Sequence, residues 1–385
     1  MPPEFFPALA ERLAHAALGL FAQATVVAGL ALLALRTTAR RNPAVRHAVA
    51  LAAVICLTSS PALASGLESP VTGATWPGQG VWPLAILFGL GVWLAGSVWL
   101  LARWVSGSRA ASRLRRGAIP LDGDLHAVAL AATREALGAQ GLPPILLSPH
   151  VQEPLALGPW RAAVLLPAFL PERLSPEEFR DVLVHECAHL RQRHHLSALA
   201  EALVGMLFWP HPLVRRVCRE LAAAREEVCD NFVLRGGSPT RYARTLLALA
   251  EARHDTDPSE PVETDSVRKA RSVHQGLQWV RVPMMRRRGA LRRRVEGLLD
   301  RGRPRDTRCG RRQAPVLAFT CGVLVVSMTG VGMAANQPTG HPNLSSPAVR
   351  QEQRAFSGVQ AVREGSEHRD LGARLPVERS GRGER

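Results

Sequence analysis

The sequence predicts a multi-pass α-helical membrane protein carrying a cytoplasmic α+β domain. Three observations lead there: four apolar blocks, an asymmetry of basic residues around them, and an intervening stretch that mixes strand and helix signals. Apolar residues make up 46% of the 385, and they are concentrated instead of spread as a soluble fold requires. The blocks 14–35, 46–64, 81–104 and 316–335 lack Asp, Glu, Lys and Arg except at their margins. Each is close to the ~20 residues that cross a bilayer core. The second runs into Ser59, Ser60 and Pro61, so a buried or re-entrant helix competes there with a spanning one. Pro61-Ala62-Leu63-Ala64-Ser65 offers the small residues of a signal-peptide cleavage site, but that reading needs one short apolar region and two precede it.

Orientation follows from the arginines. Arg36, Arg40, Arg41 and Arg46 lie between the first two blocks, Arg103, Arg109, Arg113, Arg115 and Arg116 follow the third, and Arg308, Arg311 and Arg312 precede the fourth. The loop 65–80 has no Lys or Arg. The positive-inside rule puts both termini outside the membrane and 105–315 in the cytoplasm. The cysteines agree: Cys187, Cys218, Cys229 and Cys309 fall in that segment, Cys56 and Cys321 in spans, and none outside, as a reducing compartment predicts. A formal charge of +16 raises nucleic acid as a partner, with Arg286 to Arg294 the best stretch. Arginines flanking spans account for part of the excess and attract anionic lipid head groups, so membrane lipids are the expected partner and direct nucleic-acid binding is not.

These features divide the chain into a membrane region 1–104, a folded domain 105–253, a basic linker and juxtamembrane helix 254–315, a fourth span 316–335 and a disordered external tail 336–385. Within the folded domain, Asp122 to Gln140 reads as a helix with Leu125, Val128, Ala129, Ala132 and Leu137 on one side. Pro143 to Ser148, Pro154 to Gly158 and Arg161 to Leu166 are short apolar runs that suit a small antiparallel sheet. Ser175-Pro176-Glu177-Glu178 is a capping box with Pro at the first helical position, and Leu174 and Phe179 can form a hydrophobic staple. One helix should therefore run from Ser175 toward Leu207. A second spans Leu213 to Leu234, closed by Gly236-Gly237, and a third Pro239 to Arg253. Ala290 to Leu299 is a basic amphipathic helix expected at the membrane surface.

The first long helix contains His185-Glu186-Cys187-Ala188-His189. Residues four apart share a helical face, so His185 and His189 can offer two imidazoles to one zinc ion, with Glu186 beside them as general base. A catalytic zinc needs a third protein ligand and an open position. Arg225-Glu226-Glu227-Val228-Cys229-Asp230 supplies candidates: Glu226 is favoured over Glu227 as a ligand, and Asp230, one turn on, can accept from a liganding imidazole and fix its tautomer. Tyr242, the only tyrosine, is a candidate oxyanion donor, with helix packing as the competing role. Arg161 to Leu166 is a candidate edge to which an extended peptide could add as a strand.

Taken together, Pro154-Leu155-Ala156-Leu157-Gly158, Leu165-Leu166-Pro167, Leu174-Ser175-Pro176-Glu177-Glu178, the HECAH pentad, Phe208-Trp209-Pro210-His211-Pro212-Leu213-Val214, Arg225 to Asp230 and Tyr242-Ala243-Arg244 resemble the BlaR/MecR family of membrane metallopeptidases. More distantly the chain resembles the HtpX and CaaX-prenyl proteases. The resemblance implies a zincin-like metalloprotease domain of gluzincin type, zinc held by His185, His189 and Glu226, and Glu186 as base. It further implies a protein substrate, either a BlaI/MecI-like repressor or the chain itself, in transmembrane signalling. Two departures stand out. The family often has an Asp where this chain has His194, and its penicillin sensors carry an external Ser-x-x-Lys domain, whereas the segment 336–385 has no lysine and is not expected to bind β-lactams in that way. The rival readings are a signalling protein with a closed structural zinc site, in which His194 is the residue to inspect, and a quality-control protease of the HtpX kind.

Overall fold

The structure, a computed structural model, describes residues 5–37, 42–64, 82–158, 161–255, 289–308, 310 and 314–333. The expected linker, the loop 65–80 and the tail 336–385 lie outside the described residues, apart from the ends of the linker. The apolar blocks form helices α1 (Phe5–Thr37), α2 (Pro43–Ala64), α3 (Trp82–Arg116) and, after the domain, α11 (Ala314–Met333). Among the described residues, two helices are long and apolar enough to cross a membrane, Leu13–Thr37 and Leu84–Arg116, while the apolar part of α2 is shorter, Pro43–Ser59. Leu84, Phe88, Leu94, Val98 and Trp99 of α3 are all exposed, which in water would be a costly apolar surface and in a bilayer is a lipid-facing one.

Between α3 and α11 come β1 (Ile119–Pro120), α4 (Ala127–Leu137), β2 (Ile145–Ser148), β3 (Leu155–Leu157), β4 (Ala163–Pro167), α5 (Leu170–Arg173), α6 (Pro176–Arg191), α7 (His194–Leu207), α8 (Pro212–Leu234), α9 (Pro239–Asp255) and α10 (Ala290–Leu299). The sheet order is β1-β2-β4-β3. One buried cluster joins α4, β4, α6, α8 and α9 through Ala129, Val164, Phe179, Leu183, Val228, Phe232 and Tyr242. A second joins the apolar helices to α8, with Val27, Val49 and Leu57 packed among Val217, Cys218 and Leu221. Arg46 of α2 pairs with Glu227 at 2.9 Å and Glu220 at 3.0 Å, so α8 is held from both sides.

The structure corrects several expectations. The helix expected from Asp122 begins at Ala127, because the Asp122 carboxylate accepts from the backbone N–H groups of Asp124 and Leu125 and holds a turn instead. Its inward face is Ala129, Thr133 and Leu137, while Leu125 and Val128 are exposed. The sheet is mixed: β2 and β4 run parallel, and β3 runs antiparallel to β4. The stretch Arg161 to Leu166 is consequently no edge; β4 lies between β2 and β3 with all five residues buried, and β3 is the outer strand. The helix expected from Ser175 to Leu207 breaks at Arg193, which adopts a left-handed φ of 53°, so α6 and α7 are separate. Ser175 does cap α6 as a full capping box with Glu178.

Two further devices seat the elements. Trp93 Nε1 donates to the Leu207 carbonyl at 2.8 Å and Ser97 Oγ to that of Met206 at 3.0 Å, satisfying carbonyls that the end of α7 leaves without helical partners. Gly158, just after β3, lies where an added Cβ would stand 2.5 Å from His195 Cβ, so only glycine admits this approach of the sheet to α7.

Candidate metal centre

The third turn of α6 presents His185 and His189 on one face, as their spacing requires. Their Nε2 atoms are 3.2 Å apart. Glu226, projecting from α8 toward the same point, places Oε2 3.5 Å from His185 Nε2 and Oε1 3.6 Å from His189 Nε2. Neighbouring Glu227 points the other way, to Arg46. A tetrahedral ion bound at ~2.0–2.1 Å keeps its ligand atoms about 3.3–3.4 Å apart. The two imidazole nitrogens, and the carboxylate oxygen that faces each of them, stand near that spacing, and a two-imidazole, one-carboxylate set suits zinc, so the residues present fit the group.

Behind the donors sits a second set of buried polar groups. Asp230 Oδ1 is 3.2 Å from His185 Nδ1, and Tyr242 OH is 3.0 Å from both. Tyr242 is 1% exposed, so the tyrosine at once packs and bonds, with its hydroxyl directed at Asp230. Glu186 is buried at 6% exposure on the same helical turn. Burial and the nearby Arg294 would lower the basicity of His185, yet the carboxylates of Asp230 and Glu226 outweigh them and raise its pKa to about 9. Burial would raise Glu226, but His189, His185 and Arg294 hold it well below the usual carboxylate range. Asp230, against the same burial, is lowered chiefly by Arg294 and His185.

His194 occupies the place the break at Arg193 gives it. Its Nδ1 is 3.1 Å from Nδ1 of His189 and 3.4 Å from Cys229 Sγ. Burial, with the charges of His189, His47 and Arg225, drives its pKa far down, so it stays neutral and its Nδ1 can accept a hydrogen bond from His189 Nδ1–H. That arrangement turns the His189 Nε2 toward His185 and Glu226, where a metal would bind. His189, His194 and Cys229 also bring one donor each within 4.8 Å of one another, but this group uses the opposite nitrogen of His189.

Sequence reading missed Arg294. It reaches the site from α10, where Leu291, Arg294, Val295 and Leu298 share a face; an arginine within that apolar stripe was the available signal. Its Nη2 is 2.6 Å from Asp230 Oδ1 and its Nε 2.9 Å from Oδ2. The helix expected on the membrane surface thus packs on the protein, with Leu298 buried.

Comparison with known proteins adds to this geometry. The model of the BlaR1 peptidase M56 family matches residues 74–275, more than half of the chain. The regulatory protein BlaR1 of Bacillus licheniformis is 30% identical over 88 residues, a stretch that covers 23% of this chain and 14% of that protein. With the family matched over both α6 and α8, the chain belongs to the BlaR1 peptidase M56 family, whose members are membrane-associated metallopeptidases.

Proposed function

We propose that the chain is a membrane-embedded, zinc-dependent endopeptidase whose metal is held by His185, His189 and Glu226 and whose general base is Glu186. The observation that carries the reading is the donor cluster: the two Nε2 atoms 3.2 Å apart, with the Glu226 carboxylate straddling them, Oε2 3.5 Å from His185 and Oε1 3.6 Å from His189. It supplies three protein donors and leaves a coordination position open, as a catalytic site requires. His194, the candidate for a closing fourth ligand, turns toward the far nitrogen of His189, which favours catalysis over a structural role.

A zinc ion held there would polarise a scissile carbonyl and make water more acidic. Glu186 accepts a proton from the attacking water and returns it to the departing amine. Asp230 accepts from His185 Nδ1–H and keeps that imidazole in the tautomer whose Nε2 faces Glu226. Tyr242 holds Asp230 in place. With β4 enclosed, β3 is the strand on which an extended substrate could align beside α6.

In this reading α1, α2, α3 and α11 span an inner membrane, the domain between α3 and α11 lies in the cytoplasm, and the stretch before α1 and the tail 336–385 lie outside. The substrate is a protein, a repressor of BlaI/MecI type or the chain itself, and cleavage serves transmembrane signalling; the regulatory name of the relative supports this. The test compares cleaved proteins in cells expressing wild type and Glu186→Gln. The variant should retain zinc and lose every zinc-dependent cleavage, a fall in rate of about 100-fold or more. Undiminished cleavage by Glu186→Gln would refute the assignment.

A further inference from the structure

Arg294 makes more contacts with the site's polar groups than any pairwise ion bridge needs. Besides its fork onto Asp230, Nη2 donates to Tyr242 OH at 2.8 Å, Nη1 lies 3.5 Å from Glu226 Oε2, and Nη2 is 3.1 Å from each ring nitrogen of His185. A point 3.1 Å from both nitrogens of an imidazole lies over the ring face, off either in-plane lone-pair axis. The guanidinium therefore braces the ring without claiming the Nε2 orbital that a metal needs. Among the described residues, Arg294 is the one permanent cation bonded to Asp230, which is fully buried.

What carries Arg294 is as informative as what it touches. After α10 the chain runs along α8 as a strap. Asn231 Nδ2 donates to the carbonyls of Pro304 and Asp306 at 3.2 and 3.0 Å, and Arg303 Nη2 donates to the Glu227 carbonyl and to Asn231 Oδ1 at 2.9 and 3.0 Å. Arg235 bonds the Thr307 hydroxyl, and Asn42, at the start of α2, donates to Asp306 Oδ2 at 3.0 Å. These bonds grip the strap on the same turns of α8 that hold Glu226 and Asp230. The next helix in the chain, α11, packs on α1 and α2.

We infer that Arg294 is a positioning residue of the metal centre, and that the strap 290–307 makes the geometry of that centre depend on how the last apolar helix is seated. The inference deepens the metallopeptidase reading and rests on it. A buried carboxylate that loses its cation turns to its remaining neighbours, here His185 and Tyr242, and the imidazole is no longer held for the metal. Lysine would keep the charge and lose the two-pronged geometry.

The experiment uses the full chain in detergent micelles. Zinc affinity is read by competition with a chromophoric chelator, and the thermal midpoint of the zinc-free protein is read in parallel. Arg294→Ala should weaken zinc binding by about 10- to 100-fold, the range typical of groups that orient metal ligands, and Arg294→Lys by less. Arg303→Ala, which removes strap bonds without touching the donors, should weaken binding in the same direction. Wild-type affinity in Arg294→Ala overturns the positioning role, and wild-type affinity in Arg303→Ala overturns the role of the strap. Should Arg294→Ala show no cooperative melting, Arg294→Lys and Arg303→Ala decide, since both keep the buried charge. His189→Ala separates the two levels: if the wild type binds zinc no better than this variant, the metallopeptidase reading itself falls.

Discussion

The two ring nitrogens of His189 face opposite ways, Nε2 toward His185 and Glu226 and Nδ1 toward His194. A carboxylate at position 194 would make His189 a stronger donor; a neutral imidazole orients the ring with less charge transfer. The residue the resemblance marked as a departure thus keeps the orienting contact by different chemistry. Gly158 shows the same economy of space. Gly158→Ala should destabilise the fold by about 1–3 kcal/mol, because the added methyl meets His195 at its Cβ and Cγ, near the backbone of α7. The check is a denaturant or thermal midpoint, and His195→Ala should not rescue it, since the atom in the way is Cβ itself.

Among the elements, α6 owes its start to Ser175, whose hydroxyl accepts from the Glu178 N–H while the Glu178 carboxylate accepts from the Ser175 N–H. Ser175→Ala should cost about 1 kcal/mol, read as a lower denaturant midpoint at unchanged slope. This helix was legible in sequence because its cap, its apolar period and its two histidines are all local patterns. So was the pairing of Glu226 with Asp230, which needs only a helix and a count of four. The break at Arg193 was not legible, since arginine has no preference for positive φ and the turn is imposed by packing of α7 against the sheet and α8. Strand pairing was hidden for another reason: alternation marks a strand but says nothing about its neighbours, so the parallel β2–β4 pair and the enclosure of β4 had to come from tertiary structure. Arg294 was missed because its partner Asp230 is 64 positions away, with a polar segment between.

At the scale of the molecule, the apolar helices and the helices of the candidate metal centre share α8. Its outward turn meets α2 through Arg46, Glu220 and Glu227, and its inward turn holds Glu226 and Asp230. Arg46→Ala and Glu227→Ala should therefore be non-additive in detergent, with a coupling of roughly 0.5–3 kcal/mol in a double-mutant cycle. Additive effects would mean that this side of α8 is held by apolar packing alone. The strap also bears on the order in which the molecule is made. Glu186, both histidines, Glu226, Asp230 and Tyr242 all leave the ribosome well before Arg294, on the order of several seconds earlier at ordinary elongation rates. A nascent chain would carry the proposed ligands with Asp230 still lacking its cation, so the metal centre would reach its final geometry only after the strap had followed. On that reading a nascent chain would hold zinc about 10- to 100-fold more weakly until the strap had followed, which would slow any cutting of the chain by its own unfinished site.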